Sequence, residues 1–177
     1  MNQVGSVGLI AGLAFAVFGL VAGALGGWLR SPRMLKSAER ATLAFFVMIT
    51  VAVVALEFLI LTDDFHNAYV AGHSNRELPG FYKVAVLWAG QEGSLLFWTW
   101  LLAIYGGLAV LLNRQQNRQL MPYVVAMLMA TAAFFSAITF FAANPFGELS
   151  MMTASGPQPF APADGNGLNP LLQYHSM

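Results

Sequence analysis

The chain has 177 residues, 58% of them hydrophobic and only 9% charged, against the roughly 25% charged expected of a soluble globular domain. Eight Lys and Arg balance eight Asp and Glu, so neither a basic nucleic-acid surface nor an acidic disordered tail is indicated. Cysteine is absent, which rules out a disulfide, an iron–sulfur cluster or thiol chemistry supplied by these residues.

Windows apolar enough to cross a bilayer core, which needs about 17–25 residues, fall at about 4–29, 41–61, 94–112 and 122–143. The opening MNQVGSVG carries no positive side chain and its apolar run continues to Trp28. It therefore reads as a span rather than a cleaved leader. Within this first span Gly8, Gly12, Ala16, Gly19, Gly23 and Gly27 share about 100° of helical arc. Small residues at this spacing let helix backbones approach closely, and packing within the bundle is the preferred reading over an oligomer contact. Glu57, about one turn from the far end of the second span, is expected to snorkel to the interface. Pro122 suits the first turn of the fourth helix and Asn144-Pro145 closes it.

Six of the eight basic residues, Arg30, Arg33, Lys36, Arg40, Arg114 and Arg118, lie between spans one and two or three and four. The positive-inside rule puts both connectors in the cytoplasm, with the N-terminus, the second connector and the tail outside. The fold class expected is all-α integral membrane: a four-helix transmembrane domain over 1–143 with a long external loop at 62–93. An extended external tail, 144–177, is rich in Pro, Gly and Asn and reads as turns rather than regular structure.

The second connector is dense in polar and aromatic residues, more than a passive loop requires. Trp88-Ala-Gly-Gln-Glu-Gly-Ser94 is its sharpest feature. Gly90 and Gly93 permit unusual backbone angles or a close approach, Ser94 suits an N-cap, and Glu92 would sit favourably at a helix N-terminus. Taken alone, this is a helix start with Gln91 and Glu92 at its mouth. Trp88, Trp98 and Trp100 with Phe97 suit an interfacial aromatic belt. Asp63 and Asp64 are too few for a metal site; Asp64 could cap the next turn or pair with Arg76. His66, His73 and His175 read as ordinary loop histidines. No phosphate loop, nucleophile elbow or metal-binding helix signature is present.

The strings LTDDF (61–65), YVA (69–71), HSN (73–75), FYKVA (81–85) and LWAGQEGS (87–94) resemble the outer loop of CcmF-type cytochrome c biogenesis proteins. In the tail, NPF (144–146), DG (164–165) and LNPLLQ (168–173) continue the resemblance in order, so it covers the whole chain. It implies membership of the haem-handling superfamily, whose members act in haem lyase complexes that attach haem to the CxxCH thiols of apocytochrome c outside the cytoplasmic membrane. Such proteins are much longer, so the sequence looks like their N-terminal portion. By the same resemblance Trp88, Gly90, Gln91, Glu92, Gly93, Asn169 and Pro170 lie near the haem cavity, with a structural role ranked above ligation.

The family's Trp-rich WWD-type motif and its haem-ligating histidines lie further on. Its His-Pro-Pro motif follows the LNPLLQ-type string, whereas here His175 is followed by Ser176 and Met177 and does not match that register. No histidine falls in any span, so haem is implied by the resemblance while axial ligands are not identifiable in these residues. The expected function is therefore an N-terminal part or split subunit of a haem lyase in the cytoplasmic (inner) membrane, with no nucleic-acid partner. Its partners would be the remaining CcmF-like segment, other cytochrome c maturation proteins and apocytochrome c. The alternative is a non-catalytic accessory subunit of a respiratory or other membrane complex; a transporter ranks below both, since no broken helices or midplane polar groups occur.

Overall fold

The computed structural model describes residues 1–113, 115, 117–153 and 156–168. Four long helices form the bundle: α1 (Asn2–Trp28), α2 (Pro32–Leu61), α5 (Gln91–Leu112) and α6 (Met121–Phe141). Two short helices, α3 (Ala68–His73) and α4 (Gly80–Val86), occupy the connector between α2 and α5. All four long helices are apolar and long enough to cross a membrane. Their outward faces present Val17, Phe18, Val21, Leu108, Leu111, Phe134 and Phe141. An apolar belt of this extent is stable against lipid and not against water. The protein is an all-α, multi-pass membrane protein.

The helix boundaries follow the sequence signals with one correction. The second span was expected from about 41, after a basic connector; instead α2 begins at Pro32. Proline near a helix start costs no hydrogen bond and pre-sets the helical φ, so the chain turns within Leu29, Arg30 and Ser31. Arg33, Lys36 and Arg40 are thus exposed on the first turns of α2, while Leu35, Ala38 and Glu39 face inward. Glu39 is 6% exposed and pairs with Arg118 at 2.8 Å, which closes the α1–α2 end of the bundle against the α5–α6 connection.

The small-residue face of α1 lies inside the bundle. Helix α1 packs against α2 and α6, α2 against α5, and α5 against α6. A Cβ at Gly8 would stand 2.9 Å from the Met48 carbonyl oxygen on α2, and one at Gly23 would stand 3.0 Å from the Ala126 amide nitrogen on α6. Gly19 meets the side chain of buried Met129, an adaptable filler of such gaps. Gly8 and Gly12 face α2 while Gly19 and Gly23 face α6, so close backbone approach helps set both helix separations.

At the opposite end the connector folds down as a cap. Phe65, Tyr69, Val70, Leu78, Val86 and Leu87 are buried continuously with the bundle core. Asn67 is fully buried and anchors the cap. Its Oδ1 accepts from the Val70 amide at 2.9 Å as the N-cap of α3. Its Nδ2 donates to Asn2 Oδ1 at 2.8 Å and to the Pro145 carbonyl at 2.9 Å. One carboxamide therefore ties α3 to the start of α1 and to the turn after α6.

The tail adds to this cap and corrects a second expectation. Two short strands, β1 (Ser150–Thr153) and β2 (Gly156–Pro159), pair antiparallel with Ser150 opposite Pro159. The tail then returns to α3: Asn166 N–H donates to the Ala71 carbonyl and Gly167 N–H to the Ser74 carbonyl. These are carbonyls at the end of α3 that its own helix leaves unpaired. Glu57 corrects a third. Both its carboxylate oxygens are covered by protein and lack a hydrogen-bond partner among the described residues, so the side chain does not reach an open interface.

Replacing Gly23 by Leu should cost about 1–3 kcal/mol by forcing α1 away from α6, whereas Val21→Leu on the lipid face should be within about 0.5 kcal/mol of neutral. Reversible unfolding in mixed detergent measures both; equal effects would disprove the packing assignment. Asn67→Ala should cost about 2–3 kcal/mol, the sum of a lost N-cap and a stranded buried carbonyl. Hydrogen exchange should then report early opening at Val70 rather than in α5.

Candidate functional site

The family-like strings that fall within the described residues, scattered from 61 to 165 in sequence, meet at the cap end of the bundle. Tyr69 is the centre of the meeting. Placed two residues after the Asn67 cap, it is 4% exposed, and its hydroxyl donates to the Val86 carbonyl at 2.7 Å. The same oxygen accepts from Gly90 N–H at 3.0 Å. One phenol thus joins α3 to the end of α4 and to the first residues leading into α5. Burial pushes its pKa up to about 12; the Gly90 amide opposes the shift and nearby Glu92 adds to it.

His73 completes this clamp. Its ring stacks on Tyr69 with centroids 4.5 Å apart, and its Nδ1–H donates to the Tyr69 carbonyl at 3.0 Å. Gly90 lies against the other ring nitrogen, and a Cβ there would stand 2.5 Å from His73 Nε2. At Gly93 an added Cβ would collide with the Leu87 carbonyl oxygen and the Tyr69 hydroxyl. Of the two reasons to expect glycine at 90 and 93, close approach is therefore the operative one. Neither residue has a positive φ.

The other expected site residues surround the clamp. Gln91 is exposed and Glu92 partly exposed in the first turn of α5, where the helix dipole favours the carboxylate. Ser94 does not cap the helix as expected. The N-cap is Gly90, and Ser94 Oγ instead donates to the Trp88 carbonyl at 2.9 Å, folding the motif back on itself. Trp88 is 44% exposed and its ring lies 5.6 Å from that of Phe97. Trp98 faces outward, but Trp100 leaves the expected belt: its indole N–H donates to Thr50 Oγ1 of α2 at 3.0 Å. Asn169, Pro170 and His175 lie outside the described residues.

The acidic pair at the start of the connector is divided. Asp63 accepts from Lys83 Nζ with both oxygens at 2.7 and 2.6 Å, and Asp64 contacts His66 Nδ1 at 3.0 Å. Arg76 does not pair with Asp64: its amide donates to Asp164 Oδ1, and its guanidinium lies over the Phe65 ring. Among the described residues no group of three or more His, Asp or Glu is arranged to hold a metal ion. Sequence reasoning missed the roles of Asn67, Tyr69 and Lys83. An Asn directly before the apolar run AYVA is a helix N-cap signal and marked the first of them.

Among the described residues, the side chains do not fit haem. His73 is committed to Tyr69 and Gly90. His66 lines a cavity of about 380 Å³ between the N-terminus of α1 and the tail, but Asp64 and Glu148 line the same cavity. Carboxylates there would repel porphyrin propionates, and no second imidazole faces His66 among the described lining residues.

No family model matches the chain. The cytochrome c-type biogenesis protein NrfE of Haemophilus influenzae is 32% identical over 173 residues, covering 98% of this chain and 26% of that protein. The cytochrome c-type biogenesis protein CcmF of Pseudomonas fluorescens is 32% identical over 171 residues, covering 97% of this chain and 25% of that protein. A solved cytochrome c haem lyase CcmF superposes with a TM-score of 0.75 at 30% identity, over 82% of this chain and 24% of that one. The chain spans about a quarter of the length of the curated relatives it matches. Matching nearly end to end in sequence and sharing the helical fold, it belongs to the CcmF-type cytochrome c biogenesis proteins and corresponds to their N-terminal portion.

Proposed function

We propose that this chain is the N-terminal scaffold of a cytochrome c maturation haem lyase of the inner membrane. In this reading it builds a rigid helical wall and cap, and the remaining CcmF-like segment supplies the haem ligands. Apocytochrome c supplies the thiols. One observation carries the reading: the described strings that resemble the family, with the residues next to them, interlock at the cap. Tyr69 of YVA bonds to the segment around LWAGQEGS, Asn67, just ahead of YVA, bonds to the carbonyl within NPF, and Asp164 of DG accepts from the amide of Arg76, the residue after HSN. Residues of these strings and their immediate neighbours are here engaged in holding one surface in shape, with Trp88, Gln91 and Glu92 at its rim.

The positive-inside rule supports an orientation with the basic end of the bundle in the cytoplasm and the cap outside, on the side where apocytochrome c is matured. Because the chain has no cysteine, single cysteines placed at Gln115 or Glu77 can be labelled without background. Labelling of Glu77→Cys, and not Gln115→Cys, by a membrane-impermeant thiol reagent on intact spheroplasts is expected. The reverse pattern would invert the proposed topology.

Purified alone and mixed with haem, the chain should give no stoichiometric bis-histidine spectrum, while pulldown from its host membrane should recover a CcmF-like partner or another maturation protein. Stable recovery with an electron-transfer complex instead would favour the accessory-subunit reading. The clamp itself has a pH signature. The Tyr69 phenol titrates near 10 when unfolded and about 12 when folded, so its contribution to stability is complete below pH 10 and is lost as pH rises toward 12. Tyr69→Phe should lose the two clamp hydrogen bonds, costing about 1–3 kcal/mol at neutral pH, and should abolish that alkaline component in a phenolate absorbance titration.

A further inference from the structure

The end of the bundle remote from the cap holds the larger of the two cavities described, about 450 Å³. Its walls are the α1–α2 turn, with Gly27, Arg30 and Ser31, and the approach to α6, with Arg118, Pro122 and Tyr123. Arg30 is exposed, makes no ion pair among the described residues, and holds a left-handed backbone with φ of 50°. That conformation is uncommon for a residue with a Cβ and places Arg30 at the tip of a three-residue turn. Ser31 is the N-cap of α2, yet its side chain makes no capping bond, and the first turn of α2 carries no acidic residue. The positive end of the helix dipole therefore adds to the Arg30 charge.

The surroundings are uniformly cationic. Arg33, Lys36 and Arg40 stand on the neighbouring turns of α2, and Glu39, the sole carboxylate at this end of the chain, is already neutralised by Arg118 at 2.8 Å. The rim is apolar: Trp28, Leu29, Leu120 and Tyr123 are all more than half exposed where the spans end. A cationic recess with an apolar rim at the level of lipid headgroups suits an amphiphile better than a free anion. A side chain at Gly27 would press on the Tyr123 ring, at 3.1 Å, and narrow the recess.

We infer that the cavity between the α1–α2 turn and the start of α6 binds the headgroup phosphate of an anionic phospholipid, with Arg30 as its direct counter-ion and the acyl chains lying along Trp28, Leu29 and Tyr123. This role is independent of haem chemistry and of the partner segment. It anchors the two connections of the basic end to the same lipid, and so adds to the α1–α6 packing and the Glu39–Arg118 pair that already join them.

The test is native mass spectrometry of the purified chain released from nanodiscs of mixed phosphatidylglycerol and phosphatidylcholine. The wild type should retain phosphatidylglycerol selectively. Arg30→Asn keeps a residue that tolerates the left-handed backbone but removes the charge, and should lower retention about fivefold. Ser31→Asp should lower it as well while strengthening the start of α2, since Asp is a good N-cap; this separates lost binding from lost folding. Arg33→Gln, outside the cavity, should change retention by less than about twofold. Equal losses for Arg30→Asn and Arg33→Gln would mean a diffuse surface charge and overturn the site. Undiminished retention in Ser31→Asp would overturn it too. Displacement of the lipid by inorganic phosphate at equal concentration would show an anion site without lipid selectivity and refute the phospholipid assignment.

Discussion

The cap depends on one buried carboxamide. Asn67 has no access to solvent, so each polar atom of its side chain must find a partner in protein or leave a penalty of about 1–3 kcal/mol. It meets that demand with three partners from three places: the α3 amide of Val70, the side chain of Asn2 and the Pro145 carbonyl. Satisfying all three at once leaves α3 little freedom relative to α1 and α6. The position of Tyr69 follows, and from it the close approach of Gly90 and Gly93. The backbone reinforces the arrangement, with Ala68 N–H donating to the Gly147 carbonyl and Leu149 N–H to His66. A polar network of this kind is favourable only when complete, which is why the loop and tail adopt their shapes together.

The two ends of the bundle solve different problems with the same residue types. At the cap, charges are drawn into pairs: Lys83, 9% exposed, is neutralised by both oxygens of Asp63. Burying an ammonium group requires such a partner. The tail contributes Asp164, whose carboxylate accepts two backbone amides and needs no cation. At the far end Arg30, Arg33, Lys36 and Arg40 are exposed and form no ion pair among the described residues, as suits a surface facing headgroups. Between the ends, α1 is nearly featureless in side-chain chemistry. Its contribution is thinness, which lets α2 and α6 come close on either side. Glu57 departs from this pattern, since its carboxylate is enclosed without a partner among the described residues.

How much was legible in the residues differs from element to element. The four spans were, because hydrophobic length against bilayer thickness is a local property of the sequence. So was the small-residue face of α1, because helical periodicity alone brings Gly8, Gly12, Gly19 and Gly23 to one side. The start of α2 was misplaced because charge was weighed as a loop signal, whereas Pro32 set the helix and the charges ride on its exposed face. The hairpin of β1 and β2 was missed because a Pro- and Gly-rich segment gives no period to read. In the LWAGQEGS motif the glycines were identifiable and their purpose was not: nothing local to Gly93 says that Tyr69, twenty-four residues earlier, will press on it.

What the sequence determined by itself was the class of molecule, its spans, its charge asymmetry and its kinship, since each of these rests on composition or on contiguous strings. What only the tertiary structure decided was the meaning of the connector: which carboxylate meets Lys83, where the Asn67 amide points, and that a phenol, not a serine cap, holds the mouth of α5. These depend on groups far apart along the chain being forced together where water is excluded, and a buried hydrogen bond has no signature until both of its partners are in place.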